Sequence, residues 1–355
     1  MSDGTATGRR RLTRTHKRIL GGAGTLAIVI AVFVFFLPRI ADYRSVLDVL
    51  VGLDWQDWVL LAGAVVVNLA TFPPPWMAAL PGLRYRQGMA MTQASTALAI
   101  VSPAGAAVGM AGSYSMLRSW GFAAAPVGLA VALTGVWNQL ASLAFPVVAL
   151  VLLTASGEGH AALQTAAIIG GVVLVVVVVG FVVGLWKAAW ARRLGDAAAR
   201  LVSRVRAIVR KGPVEWNGES FVAFRSRALG LLRRRWHVLT LATLAGHLTV
   251  FVVLLVCLRT VQITGSEISL VEAFAAWALV RILGSLPLTP AGLGVVEIGL
   301  SGALVAFGAP NAQAVTATLL YRALTVLPTL GLGLLAAATW RSHRPGGRVE
   351  SRGAS

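Results

Sequence analysis

The sequence predicts an all-α, polytopic integral membrane protein, with about six full spans and two re-entrant or broken hairpins related as an inverted repeat. Three observations predict it. Of 355 residues, 57% are hydrophobic and only 12% charged, against about 25% charged in an ordinary soluble domain. The whole net charge of +18 sits in three segments: residues 1–18 carry +5, 187–237 carry +10 and 340–355 carry +3. Finally, the turns Ser102-Pro103-Ala104-Gly105 and Thr289-Pro290-Ala291-Gly292 repeat one pattern in the two halves.

The basic segments read as cytoplasmic under the positive-inside rule, which threads the chain in order. Arg9-Arg10-Arg11 and the apolar stretch 19–37 resemble a signal peptide, but the stretch is long and lacks a small-residue cleavage site, so it reads as a retained first span. The loop 38–57, with Asp42, Asp48, Asp54 and Asp57, suits the outside. Span 58–80 returns and is broken or kinked near Pro73-Pro74-Pro75. Arg84 and Arg86 then suit the inside.

Spans 126–153 and 161–186 lead out and back to the basic loop 187–237, so residues 89–118 must start and finish inside. The arm 89–101 would be about 20 Å long as a helix, short of the roughly 30 Å hydrocarbon core. A hairpin turning at Ser102–Gly105 satisfies both constraints. Span 238–258 leads out again, residues 270–308 start and finish outside, and span 311–339 returns to the basic tail 340–355. The arms of this second hairpin are longer, so two tilted crossings remain open. Trp190, Leu194, Ala198, Leu201, Val205 and Ile208 recur at helical spacing within 188–210, as expected for a segment lying on an anionic leaflet. The domain organisation is thus a tail (1–18), a transmembrane domain (19–339) and a second tail (340–355), in a bacterial inner membrane with both termini cytoplasmic.

Several function classes are excluded. Cys257 is the single cysteine, and the five histidines show no metal-ligand spacing. There is no Walker loop, no Gly-x-Ser-x-Gly elbow and no carboxylate cluster. No metal, cofactor, ATPase, hydrolase or nucleic-acid partner is expected. His247, in an apolar span, reads as a packing residue.

The two turns carry the chemistry. Pro103 is followed by Pro126 and Pro146, and Pro290 by Pro310 and Pro328; with the opposite orientation of the halves, this is an inverted-repeat signature. Ser or Thr before Pro is a helix-start signal. A half-helix beginning at membrane depth points free N–H groups and a positive dipole end inward, as an anion site. Ser102, Pro103 and Gly105 in one half, and Thr289, Pro290, Gly292 and Gly294 in the other, are therefore candidate binding residues. Arg281, Glu297 and Arg322 are ionisable groups in apolar surroundings, and such groups face a cavity or a partner. Glu297 suits a buried ion pair with either Arg322 or Arg281; the alternative is an anion-binding arginine with Glu297 as switchable partner. Asn138, beside Trp137, stands in the first half where Arg322 stands beside Tyr321 in the second, and is a candidate for the same cavity.

At Leu286-Pro287-Leu288-Thr289-Pro290-Ala291-Gly292-Leu293-Gly294-Val295-Val296-Glu297, with Ala306-Phe307-Gly308-Ala309-Pro310 and Leu319-Leu320-Tyr321-Arg322, the chain resembles the flippase-like transmembrane domain of bacterial lysylphosphatidylglycerol synthases. The resemblance covers residues 19–339, more loosely in the first half. It implies movement of lipids such as aminoacylated phosphatidylglycerol between leaflets, with Pro290, Gly292, Gly294, Glu297 and Arg322 as the family-like residues. Only residues 340–355 follow the last span, so lysyl transfer is not expected.

Three readings compete: a flippase or scramblase without its own ATPase, acting on an anionic or aminoacylated phospholipid or a lipid-phosphate carrier; a membrane-embedded transferase on a lipid-phosphate substrate; and a non-catalytic accessory subunit of a lipid or cell-wall enzyme. The partners expected are anionic membrane lipids, with a homo-oligomer or an envelope enzyme as further options. Gly105-x-x-x-Gly109 and Gly180-x-x-x-Gly184 permit close helix contacts.

Overall fold

A computed structural model describes residues 51–102, 105–157, 161–186, 218–285, 292 and 294–340, with seven further positions between 192 and 204. The expected first span 19–37 and the apolar positions of the 188–210 segment lie outside the described residues. Regular structure among the described residues is helical.

The bundle is built from α1 (Trp55–Ala70), α2 (Pro73–Ala79), α3 (Tyr85–Val101), α4 (Gly105–Ser119), α5 (Ala124–Ala155), α6 (Ala161–Trp186), α7 (Gly218–Thr260), α8 (Leu270–Ser285), α9 (Val295–Ala306) and α10 (Asn311–Thr339). Five helical stretches are long and apolar enough to cross a membrane: α1 with α2, α5, α6, α7 and α10. These are the five expected spans that fall within the described residues.

Local chemistry sets the boundaries. Asp57 caps α1 by accepting the Asp54 N–H at 3.2 Å. The Thr71 hydroxyl donates to the Asn68 carbonyl at 2.6 Å as α1 ends. The three prolines then restart the chain as α2, in a first turn where a missing N–H costs nothing. The Arg84 N–H donates to Gln87 Oε1 at 3.2 Å, so α3 starts four residues before the apolar pattern that begins at Met89. At seventeen residues it is about 26 Å long, still shorter than the hydrocarbon core. With sixteen and twelve residues, α8 and α9 reach only about 24 and 18 Å. The second pair is therefore also a hairpin of short arms.

The buried side chains fall into two clusters, one toward each end of the bundle. One joins Leu80, Leu83, Leu117, Trp120, Val127 and Leu232, with Trp340 against it; Trp120 Nε1 donates to the Trp340 carbonyl at 3.1 Å. The other joins Leu61, Leu153, Leu258, Ile263, Ile268 and Ala309, with Leu53 against it. The start of α3 and the end of α4 thus lie at the first end. The start of α8 and the end of α9 lie at the second. The two hairpins enter from opposite faces.

Packing repeats the inversion. The helix that follows each hairpin lies along the opposite half's hairpin, α10 on α3 and α5 on α8, while α7 packs antiparallel to α1 and α2. Phe145 of α5 meets Phe274 and Trp277 of α8 edge-on, at centroid separations of 6.0 and 5.3 Å. In the other half Gly333 of α10 closes on α3: a Cβ there would overlap Ala97 Cβ and lie 2.8 Å from the Gln93 carbonyl oxygen. Pro146 and Pro328 lie inside α5 and α10 alike.

Charge distinguishes the two ends. Arg84, Arg86, Arg118, Arg227, Arg233, Arg234 and Arg235 are exposed at the first. Asp54, Asp57, Glu267 and Glu272 gather at the second, with Arg259.

Candidate intramembrane charge site

Three charged residues and a histidine reach one depth. Arg322 lies eleven residues into α10 and Arg281 eleven residues into α8, each about 16 Å from the acidic end. The twelve-residue α9 ends at that face, which puts its first turn about 18 Å deep. In a hydrocarbon core of roughly 30 Å, that is the midplane.

The α8–α9 connection needs glycine. Gly292 and Gly294 have φ of +66° and +82°, the left-handed region that glycine enters without penalty. A Cβ on Gly292 would stand 2.8 Å from Val296 Cγ2 and 3.3 Å from Gly284 Cα. Gly294 leads directly into the N-terminus of α9 at the midplane. Glu297, in the first turn of α9 and 1% exposed, accepts the Gly294 N–H through Oε2 at 2.6 Å. Its Oε1 accepts from Arg322 Nε at 2.6 Å. The carboxylate therefore caps α9 and neutralises Arg322 together.

Of the two pairings open in the sequence, the structure forms Glu297–Arg322. Arg281 instead directs Nη2 at His247 Nδ1, 2.6 Å away on α7, and its guanidinium carbon stands 4.8 Å from the centre of the Trp277 ring. Tyr321, buried on α10, lies within electrostatic reach of both arginines. His247 also meets the Phe145 ring edge at 5.6 Å, which joins α5 to the site. Sequence reading missed this role of His247, because its partner is 34 positions away on another helix.

The remaining candidates fall as follows. Ser102 and Gly105 flank the first turn and are partly buried. Pro103, Thr289 and Pro290 lie outside the described residues. Asn138 is exposed on α5, as is Gln139. No group of three or more His, Cys, Asp or Glu suited to a metal ion occurs among the described residues.

A family profile described as the lysylphosphatidylglycerol synthase TM region matches residues 23–333. The chain belongs to that family. Comparison with curated proteins finds no match. Membership in the lysylphosphatidylglycerol synthase TM family places the chain among membrane proteins with a lipid-related role, and the match runs through both hairpins, Glu297 and Arg322.

Proposed function

We propose that this chain moves an anionic or aminoacylated phospholipid between leaflets, as a flippase or scramblase without an ATPase of its own. The observation that carries the reading is the pair of short-armed hairpins entering from opposite faces, each packed along the helix that follows the other hairpin. Two related packings of such a bundle open the midplane alternately to the two sides. The Glu297–Arg322 pair and the start of α9 then meet the head group, while the acyl tails stay in lipid. When a phosphate approaches Arg322, Glu297 can keep its bond to the Gly294 N–H and release the guanidinium. The exposed arginines at one end orient that end toward the cytoplasm of a bacterial inner membrane.

The transferase reading has less support. It needs a free general base, and both Glu297 oxygens are engaged. The accessory-subunit reading has no observation in its favour.

The test uses proteoliposomes with fluorescent phosphatidylglycerol and lysylphosphatidylglycerol, read by quenching of the outer leaflet. Translocation above protein-free vesicles is expected, with a marked loss in Glu297→Gln and Arg322→Gln. Rates equal to empty vesicles for every lipid class would reject transport. Unchanged rates in both variants would remove this pair from the mechanism.

A further inference from the structure

Arg281 is held by neutral groups. An arginine only donates, so at the 2.6 Å contact it is His247 Nδ1 that accepts. The imidazole there is neutral, with its proton on Nε2. The other support is the π face of Trp277. Glu297, the carboxylate of this region, is committed to Arg322 and to the Gly294 N–H. Among the described residues no carboxylate lies within ion-pair distance of Arg281. The site therefore carries one compensated arginine and one uncompensated arginine at the same depth.

The polar atoms left over here are mostly donors. Arg281 Nε is buried without an acceptor, and the buried Trp277 Nε1 has the Tyr321 hydroxyl beside it. The Tyr321 hydroxyl stands near Trp277 and Arg281. Guanidinium and indole N–H groups cannot accept, so the phenol oxygen is the one acceptor among these three side chains, and Arg281 Nε is left over. Buried donors without partners are costly, and a buried cation without a counter-charge is costlier still. The chemistry that satisfies all of them is an oxygen acceptor bearing negative charge.

We propose that Arg281, Trp277 and Tyr321 form a receptor for a phosphate oxyanion, separate from the Glu297–Arg322 pair, with His247 as the positioning residue that aims the guanidinium. On this assignment Arg281 holds the phosphate, and Arg322 with Glu297 responds to its arrival. The lipid-transport reading is needed only to say what carries the phosphate: a lipid head group or the free ion.

Equilibrium binding by the full chain in detergent micelles tests it. The probes are dihexanoyl phosphatidylglycerol, inorganic phosphate, and dihexanoyl glycerol as the phosphate-free control, each titrated against melting temperature and by calorimetry. The expected result is a dose-dependent rise in melting temperature with the phosphodiester lipid and none with dihexanoyl glycerol. A matching response to inorganic phosphate assigns the site to free phosphate; a response to the lipid alone assigns it to the head group. Arg281→Gln is expected to weaken binding about 100-fold and Trp277→Phe about tenfold. Ligand-free Arg281→Gln should melt no lower than wild type, because it removes an uncompensated charge. His247→Ala should weaken binding, and His247→Asn, whose amide oxygen can accept from Arg281, should restore it; a merely structural histidine would not show that rescue at equal melting temperature.

No response of the wild type to either phosphate compound overturns the proposal, as does undiminished binding by Arg281→Gln. If Arg281→Gln fails to fold, Trp277→Phe decides in its place, and unchanged affinity overturns the assignment. Intact phosphate binding without translocation counts against transport alone. Intact translocation with binding indifferent to Arg281 counts against this receptor alone.

Discussion

A double-mutant cycle on Glu297 and Arg322 measures what the midplane pair contributes. Glu297→Gln retains an oxygen for the Gly294 N–H, now accepted at 2.6 Å, so the cap on α9 survives and the change isolates the charge. It leaves Arg322 ionised at the midplane with its carboxylate removed. Breaking one side of a buried pair costs about 3–5 kcal/mol, because the abandoned charge remains in low dielectric. Arg322→Met leaves Glu297 in the same position and should cost a similar amount. The double variant carries neither charge, and a buried pair replaced by neutral groups of like volume is often close to neutral, so a loss of about 0–2 kcal/mol is expected. The two single losses would sum to about 6–10 kcal/mol, so the coupling energy should be at least about 4 kcal/mol. Reversible unfolding in mixed micelles of dodecyl sulfate and a mild detergent, followed by tryptophan fluorescence, supplies the four stabilities. A coupling below about 0.5 kcal/mol would refute the reasoning, since residues joined by a buried 2.6 Å ion pair cannot act independently.

Three other outcomes are expected. Gly333→Val should lower stability by about 1–3 kcal/mol in the same unfolding assay, because its side chain would collide with Ala97 and the Gln93 carbonyl across the α10–α3 contact; a neutral result would mean that these helices do not pack so closely. Asn68→Leu removes the 3.1 Å hydrogen bond to Thr249 that joins α1 to α7, and should cost about 0.6–1.7 kcal/mol in that assay; an unchanged stability would mean the bond contributes nothing. In a Cys257→Ala background, cysteines at Asp54 and Glu267 should label with an impermeant maleimide in intact cells, and cysteines at Arg86 and Arg227 only after lysis; the reverse pattern would invert the orientation.

The fold was largely legible because lipid imposes simple rules. A span needs about 20 apolar residues, basic loops stay on one side, and parity does the rest. Those constraints alone required 89–118 and 270–308 to turn back, and the structure closes both as hairpins. What they could not supply was length where polar residues take part: Tyr85–Gly88 join α3 through a cap on Arg84, which hydropathy does not register. The site was legible to the level of residue type and depth. Arg281, Glu297 and Arg322 stood out because an ionisable group in an apolar run is costly. Their pairing was not legible, because it depends on how α7, α8, α9 and α10 rotate about their axes, and no local pattern encodes that. The repeat suggested Asn138 as the first-half counterpart of Arg322, yet Asn138 is exposed on α5 while Phe145, two turns on, packs against His247. The two halves therefore share a backbone plan while dividing its chemistry unequally. The second half brings the charges and most of the aromatic rings to the midplane, and the first adds Phe145 against His247 and Trp277. The uncompensated charge then sits on Arg281, whose supports are a histidine and a tryptophan, and a ligand can pair with Arg281 before Glu297 releases Arg322.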